Sequence, residues 1–155
     1  MRYYIVVEGK SGESKVYPKW ISYVNEALVQ KFSIDDIDEN SYFLVSGNGF
    51  PQYYKIIDNA IYDINTSGKF DCLVVAVDSE DNTYSVKHSD IQSYVGNKLT
   101  SAKLKIIIQH SCLETWALGN RVVYRRHPKD EMLREFMKIY NVRIDDPELL
   151  PEYPK

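Results

Sequence analysis

Residues 72–78 read Cys-Leu-Val-Val-Ala-Val-Asp, and this stretch decides the fold. Its apolar run is uninterrupted and ends in an acidic polar loop, which is typical of a parallel β-strand covered on both faces. Shorter β-branched and aromatic runs predict three more strands, at residues 3–7, 42–45 and 104–108. Helical spacing of apolar residues predicts helices at residues 14–32, 53–64, 86–99, 112–118 and about 130–140. This alternation predicts an α/β fold, Rossmann-like, with a mostly parallel four-stranded sheet flanked by helices.

The composition is that of one globular domain. The chain has 155 residues, of which 44% are hydrophobic and 26% charged. We expect one α/β domain over residues 1–142 and an extended, Pro-rich tail over residues 143–155. Lys and Arg number 19 against 22 Asp and Glu, a net charge of −3, which excludes a generally basic nucleic-acid coat but leaves room for a local basic groove.

Cysteine and histidine usage argues against two classes of site. The two cysteines, Cys72 and Cys112, have no CxxC spacing, and the three histidines lack paired metal-ligand spacing. A disulfide framework and a zinc site are therefore not predicted. The apolar runs are strand-sized, far short of a membrane span, and Met1 leads directly into the first strand, so we expect a cytoplasmic protein that does not bind membranes.

Acidic residues follow three of the predicted strands. Glu8 follows the first, Asp78 follows the third with Glu80 and Asp81 close behind, and Glu114 comes soon after the fourth. Ligands of parallel α/β sheets bind at the carboxyl ends of the strands, and an all-oxygen cluster favours a hard ion, Mg²⁺ or Mn²⁺. Each acid alone could instead cap a helix or lie in solvent. For Glu8 and Asp78 together, directly after two apolar strands, the pattern favours a functional role.

Positive and aromatic residues are candidates for binding a polyanion. Lys10 lies beside Glu8 and could reach a phosphate, although a solvated loop lysine is an equal alternative. The densest basic patch consists of Arg121, Arg125, Arg126 and His127, while His110 ends the fourth strand. Four of the 13 tyrosines could stack on bases, but packing between helix and sheet is the commoner role of such residues: Tyr53, Tyr54, Tyr84 and Tyr94.

Three short motifs, in this order, carry a family resemblance. Residues 6–10 (VVEGK) and 75–81 (VAVDSED) resemble the Toprim domain of topoisomerases, primases and the overcoming-lysogenization-defect (OLD) nucleases. Residues 110–118 (HSCLETWAL) are similar to a segment of RloB-like proteins, small Toprim-type members found beside restriction and phage-defence genes. The resemblance covers about residues 3–120.

The resemblance implies a metal-dependent nuclease. It implies that Asp78 and either Glu80 or Asp81 hold Mg²⁺ or Mn²⁺, that Glu8 is a further ligand or a general base, and that Glu114 completes a second metal site. Nucleic acid, DNA in the first instance, would be the substrate, and an ATPase a partner in phage defence.

Two other functions stay open. The Toprim-like fold could serve as a non-catalytic interaction module within a multi-protein complex. The chain could also be a receiver-like phosphoacceptor, because such domains place their aspartate after the third strand, as Asp78 is placed here. A receiver also needs an acidic pair after the first strand, where only Glu8 is found, and a lysine after a fifth strand, whereas only four strands are predicted. This alternative therefore ranks last.

Overall fold

A computed structural model describes residues 1–10, 12–109, 113, 127–141 and 143–145 of the chain. The strands are β1 (Arg2–Val7), β2 (Val29–Lys31), β3 (Ser41–Ser46), β4 (Cys72–Asp78) and β5 (Lys103–Gln109). The helices are α1 (Glu13–Val24), α2 (Tyr53–Ser67), α3 (Tyr84–Val95) and α4 (Glu131–Ile139), with single 3-10 turns at Ile34–Asp36 and Gly96–Lys98. The predicted helix at residues 112–118 lies outside the described residues apart from Leu113.

The strands form one parallel sheet in the order β2-β3-β1-β4-β5. Strand β1 is central, and its last residue, Val7, is paired with Ser46 of β3 on one side and Ala76 of β4 on the other. The predicted α/β class, with a parallel sheet flanked by helices, is confirmed. The predicted number of four strands is wrong, because β2 adds a fifth.

The missing strand explains why the predicted helix at residues 14–32 was too long. Helix α1 ends at Val24, and the chain turns at Asn25, whose carbonyl accepts the N–H of Leu28 at 3.1 Å. Val29 then pairs with Ser41 of β3. Leu28 and Phe32 continue the apolar spacing of α1, and three residues are too few for strand alternation to appear in the sequence.

The core lies where β1 and β4 pack against α2 and α3. Alternate residues of the two strands, such as Val6 and Val75, face this side and are fully buried. The helices contribute a stripe of buried residues: Ile57, Ala60, Ile61, Ile64, Ile91 and Val95. On the opposite face, Tyr17 and Ile21 of α1 line a groove of about 190 Å³ together with sheet residues that include Ile5. Helices therefore cover both faces of the sheet.

The chain divides into two compact units. The first comprises Met1–Val77 and Asn82–Ile108, and it contains α1, α2, α3 and most of the sheet. The second comprises Asp78–Asp81 and Gln109–Lys155. Its helix α4 begins after Asp130, whose carboxylate accepts the N–H of Leu133 at 2.8 Å, as expected for an N-cap. Of the predicted tail, residues 146–155 lie outside the described part of the chain.

An ion pair ties the start of β1 to the residue before β4. The guanidinium of Arg2 donates to the Asp71 carboxylate at 2.7 Å, and this hydrogen bond lowers the pKa of Asp71. Because the folded-state pKa is depressed, the pair stabilises the protein above the ordinary pKa of Asp, about 3.9, and this contribution is lost as the pH falls through the lower folded value. We expect Asp71→Asn to cost about 0.5–1 kcal/mol at neutral pH, since both side chains are one-third exposed. In urea denaturation, the difference from wild type should shrink below about pH 4; a difference that grows in acid would contradict the assignment.

Candidate functional site

The turn after β1 carries the first predicted site residue. Glu8 directly follows β1, and its backbone N–H donates to the carbonyl of Ala76 in β4 at 3.0 Å. Its side chain is buried, with the residue only 7% exposed. A carboxylate that is almost fully withdrawn from solvent costs folding free energy unless its surroundings compensate it, so this position is a specific feature of the fold.

A second buried carboxylate is hydrogen-bonded to the turn that follows β1. Glu13, the first residue of α1, accepts the N–H of Gly9 through Oε1 at 2.8 Å. A Cβ on Gly9 would displace the same carboxylate, so glycine at this position leaves room for the contact. The hydroxyl of Ser14 donates to the carbonyl of Lys10 at 3.0 Å. The side chain of Lys10 itself is exposed at the end of the turn.

The glycine-rich turn after β3 holds the same backbone from the other side. The N–H of Gly47 donates to the carbonyl of Val7 at 2.6 Å, and the N–H of Gly49 donates to the carbonyl of Glu8 at 2.8 Å. The hydroxyl of Ser46 donates to the carbonyl of Gly9 at 2.9 Å. The three consecutive carbonyls of residues 7–9, at the end of β1 and just after it, therefore have fixed positions. The turn after β3 thereby fixes the position of the Glu8 backbone.

The acidic residues after β4 differ from one another. Asp78 is the last residue of β4, is half-buried, and accepts the backbone N–H of Leu113 at 3.1 Å. Glu80 and Asp81 are exposed, and Glu80 has a left-handed backbone with φ of +50°. A non-glycine residue in this conformation is uncommon and costs about 1 kcal/mol.

None of these acids caps the helix that follows. The N-cap of α3 is Thr83, whose hydroxyl accepts the N–H of Val86 at 3.4 Å. The N-cap position of α3 is therefore occupied by Thr83 and not by Asp78 or Asp81. Threonine, whose side chain is neutral and shorter than that of aspartate or glutamate, caps α3.

The donor chemistry suits a hard cation. Among the described residues, no three His, Cys, Asp or Glu side chains are grouped as a metal site. Mg²⁺ commonly uses only one or two protein carboxylates and completes its shell with water and substrate phosphates, so Glu8 and Asp78 each carry the kind of oxygen donor that such an ion prefers. The other predicted ligand, Glu114, lies outside the described residues, as do His110, Arg121, Arg125 and Arg126; His127 is described and exposed.

Lys87 is a buried cation that the sequence analysis missed. It lies in the first turn of α3 and is only 3% exposed, with Nζ 5.6 Å from the ring centre of Phe50 and 5.5 Å from that of Tyr53. Within the described part of the chain no carboxylate forms an ion pair with Lys87. Tyr53 in turn packs against Gly47 at the glycine-rich turn. Lys87 therefore belongs to the same edge of the sheet as Glu8.

The tyrosines have the packing role that the sequence favoured, with one exception. Tyr53 is fully buried. The hydroxyl of Tyr94 donates to Asp58 at 2.6 Å, and this hydrogen bond raises the pKa of Tyr94 to about 12. Tyr84 is different, because it is 55% exposed and stacks on His88 with ring centres 5.6 Å apart. Base stacking by Tyr53 is excluded by its burial.

Comparison with known proteins adds no relative. No protein-family model, no curated protein and no solved structure matches the chain. The resemblance to Toprim domains therefore stays a prediction. Across the described residues, no helix combines the length and the apolar character that crossing a bilayer would require.

Proposed function

We propose that the chain is a divalent-metal-dependent nuclease of the Toprim type, which cleaves nucleic-acid phosphodiester bonds in the cytoplasm and acts with a partner protein in phage defence. The observation that carries this proposal is the position of two acids in the sheet. Glu8 follows β1 and Asp78 ends β4, and these strands are adjacent, parallel and inside the sheet, away from its edges. Val7 and Ala76, one residue before Glu8 and two before Asp78, are register partners.

The strand order supports the same position. From β1 the chain builds β2 and β3 on one side of β1, and then β4 and β5 on the other. The direction of winding changes between β1 and β4. In open α/β sheets, ligands bind outside the carboxyl ends of the strands at such a switch point.

In this proposal the acidic residues bind metal or act as the base, and a lysine binds the substrate. Asp78, with Glu80 or Asp81, would hold Mg²⁺ or Mn²⁺, which supplies an activated water and stabilises charge on the phosphoryl oxygens. Glu8 is either a further ligand or the general base. Its backbone is fixed, because its N–H donates to the carbonyl of Ala76 and its carbonyl accepts the N–H of Gly49. Lys10, exposed beside Glu8, orients the substrate phosphate.

The slight excess of acidic over basic residues supports the proposal of a partner protein. With 19 basic against 22 acidic residues, the protein has few cationic groups to spare for the phosphate contacts that dominate nucleic-acid affinity. A partner such as an ATPase would supply the remaining contacts and deliver the substrate.

A supercoiled-plasmid assay tests the proposal. We expect nicking by the purified chain in the presence of Mn²⁺ or Mg²⁺, none in EDTA, and a clear decrease for Glu8→Gln prepared in parallel. Glu8→Gln keeps the size of the side chain and removes its charge. Equal nicking by the two proteins would show a contaminating nuclease. If wild type with Mn²⁺ or Mg²⁺ cleaved neither the plasmid nor a single-stranded oligonucleotide, the chain would be rejected as a nuclease on its own.

A non-catalytic interaction module is the second candidate, and helix α4 favours it. Met132 and Ile139 of this helix are 81% and 67% exposed, while Phe136 is half-buried. Exposed apolar side chains on one amphipathic helix suit contact with another protein. Calorimetric titration separates the two functions, because the module needs no Mg²⁺ or Mn²⁺ binding and the nuclease does.

A further inference from the structure

An exposed aromatic ring stands beside the Glu8 turn. Phe50 is 57% exposed, and it directly follows Gly49, whose N–H is bonded to the carbonyl of Glu8 at 2.8 Å. Its ring is supported by Tyr53 and Tyr54, with ring centres 6.0 and 6.4 Å away. The ring is therefore held from within the protein and open towards solvent. A fixed aromatic surface of this kind can stack on a nucleobase.

A positive charge lies next to this ring. The ammonium of Lys87 is 5.6 Å from the ring centre of Phe50, on a side chain that is nearly buried. A second lysine provides a comparison: Lys98 lies 3.8 Å from the ring centre of Tyr94, but it also forms an ion pair with Asp58 at 3.0 Å. No described carboxylate neutralises Lys87 in this way.

The Lys87 side chain is nearly buried, and its ammonium lies beside two aromatic rings, which compensate a positive charge more weakly than a carboxylate does. A lysine placed in this way is typical of residues whose partner comes from outside the protein, as at phosphate-binding sites. The partner required here is an anion, and the adjacent ring of Phe50 requires a flat, apolar group. A nucleotide supplies both, since only one sugar separates its base from its phosphate.

We propose that Phe50 and Lys87 bind one nucleotide of a single-stranded nucleic acid, with the base stacked on Phe50 and a phosphate on the ammonium of Lys87. This inference rests on the proposed nuclease function and specifies its substrate. A duplex hides the faces of its bases in the stack, so an aromatic platform selects unpaired strands. DNA and RNA strands share this chemistry, and the two are compared below.

Binding without cleavage tests the inference. Fluorescence anisotropy in EDTA would measure affinity for fluorescein-labelled oligo(dT), oligo(U) and a DNA hairpin duplex. We expect the single strands to bind more tightly than the duplex, and the tighter of the two strands identifies the substrate. Phe50→Ala should weaken single-strand binding about 5- to 150-fold, whereas Phe50→Tyr, which keeps the ring, should retain it. Phe32→Ala is the matched control, because Phe32 is 84% exposed at the end of the edge strand β2.

The role of Lys87 is tested with Lys98 as the matched control. Lys87→Met should weaken binding and reduce the slope of log affinity against log salt by about 0.7, the value for one phosphate contact on a single strand. Lys98→Met removes a lysine that also lies on a ring but is paired with Asp58, and it should leave the slope unchanged. Thermal denaturation checks that each variant is folded, and Lys87→Arg keeps the charge if Lys87→Met does not fold.

Several results would overturn the inference: no single-strand binding by wild type, equal affinity for the duplex, or wild-type affinity in folded Phe50→Ala. Its failure is separate from failure of the nuclease proposal. Phe50-dependent binding in EDTA can persist in a protein that never cleaves, and metal-dependent nicking can persist in a protein for which Phe50 is irrelevant.

Discussion

Asp78→Asn is expected to lower the rate of metal-dependent cleavage by about 100- to 1000-fold while the protein stays folded. A metal ion contributes several kcal/mol to stabilising the transition state, and each 1.36 kcal/mol lost is a tenfold loss in rate. Asparagine has the size of aspartate, and its carbonyl oxygen can still accept the N–H of Leu113, which Asp78 accepts at 3.1 Å. The substitution therefore removes the charge and keeps this hydrogen bond. Initial rates of plasmid nicking over a range of Mn²⁺ concentrations measure the effect.

The neighbouring acids make this experiment specific. Glu80→Gln and Asp81→Asn address the choice that the sequence left open, and the true second ligand should show the larger loss and need more Mn²⁺. Asp90→Asn is the control, because Asp90 is an exposed acid of α3. If all four variants lost the same activity, the effect would be a general change of surface charge. If Asp78→Asn retained wild-type activity, the assignment of Asp78 would be wrong.

The central part of the fold was predictable because burial leaves a clear pattern. Strand β4 is covered on both faces and is apolar throughout, and the stripes of α2 and α3 recur at helical spacing. The position of Glu8 and Asp78 at strand ends followed from the same pattern. Strand β2 was missed because its three residues lie at the edge of the sheet and their spacing continues that of α1.

Sequence patterns could not predict that Phe50 and Lys87 lie next to each other in the folded protein. The two residues belong to different parts of the chain, and only the folded arrangement of α2 and α3 brings ring and ammonium to 5.6 Å. Lys87 stands among the polar residues of α3, so its sequence context predicts an exposed side chain. The sequence did contain one sign of an exposed ring at Phe50. This residue follows a Gly-Asn-Gly turn, and a large apolar side chain is uncommon among the polar residues of a turn.

Gly47→Ala is expected to cost about 3 kcal/mol of unfolding free energy and to reduce any cleavage activity with it. A Cβ at this position would lie 2.5 Å from Cβ of Tyr53 and 3.0 Å from the carbonyl oxygen of Val7. Both neighbours are fully buried, and the carbonyl is already bonded to the N–H of Gly47 itself at 2.6 Å. Neither can move without displacing the end of β1, and Glu8 is the next residue.

Gly68→Ala separates this steric cost from the general cost of replacing a glycine. Gly68 caps α2 with φ of +62° and has no atom within 4 Å of an added Cβ, so alanine there should cost only about 1 kcal/mol of conformational strain. Thermal denaturation should lower Tm by about 6–12 °C for Gly47→Ala and by about 2–4 °C for Gly68→Ala. The reverse order would mean that the glycine-rich turn adapts easily, and then its three hydrogen bonds to the backbone of residues 7–9 could not be what fixes Glu8.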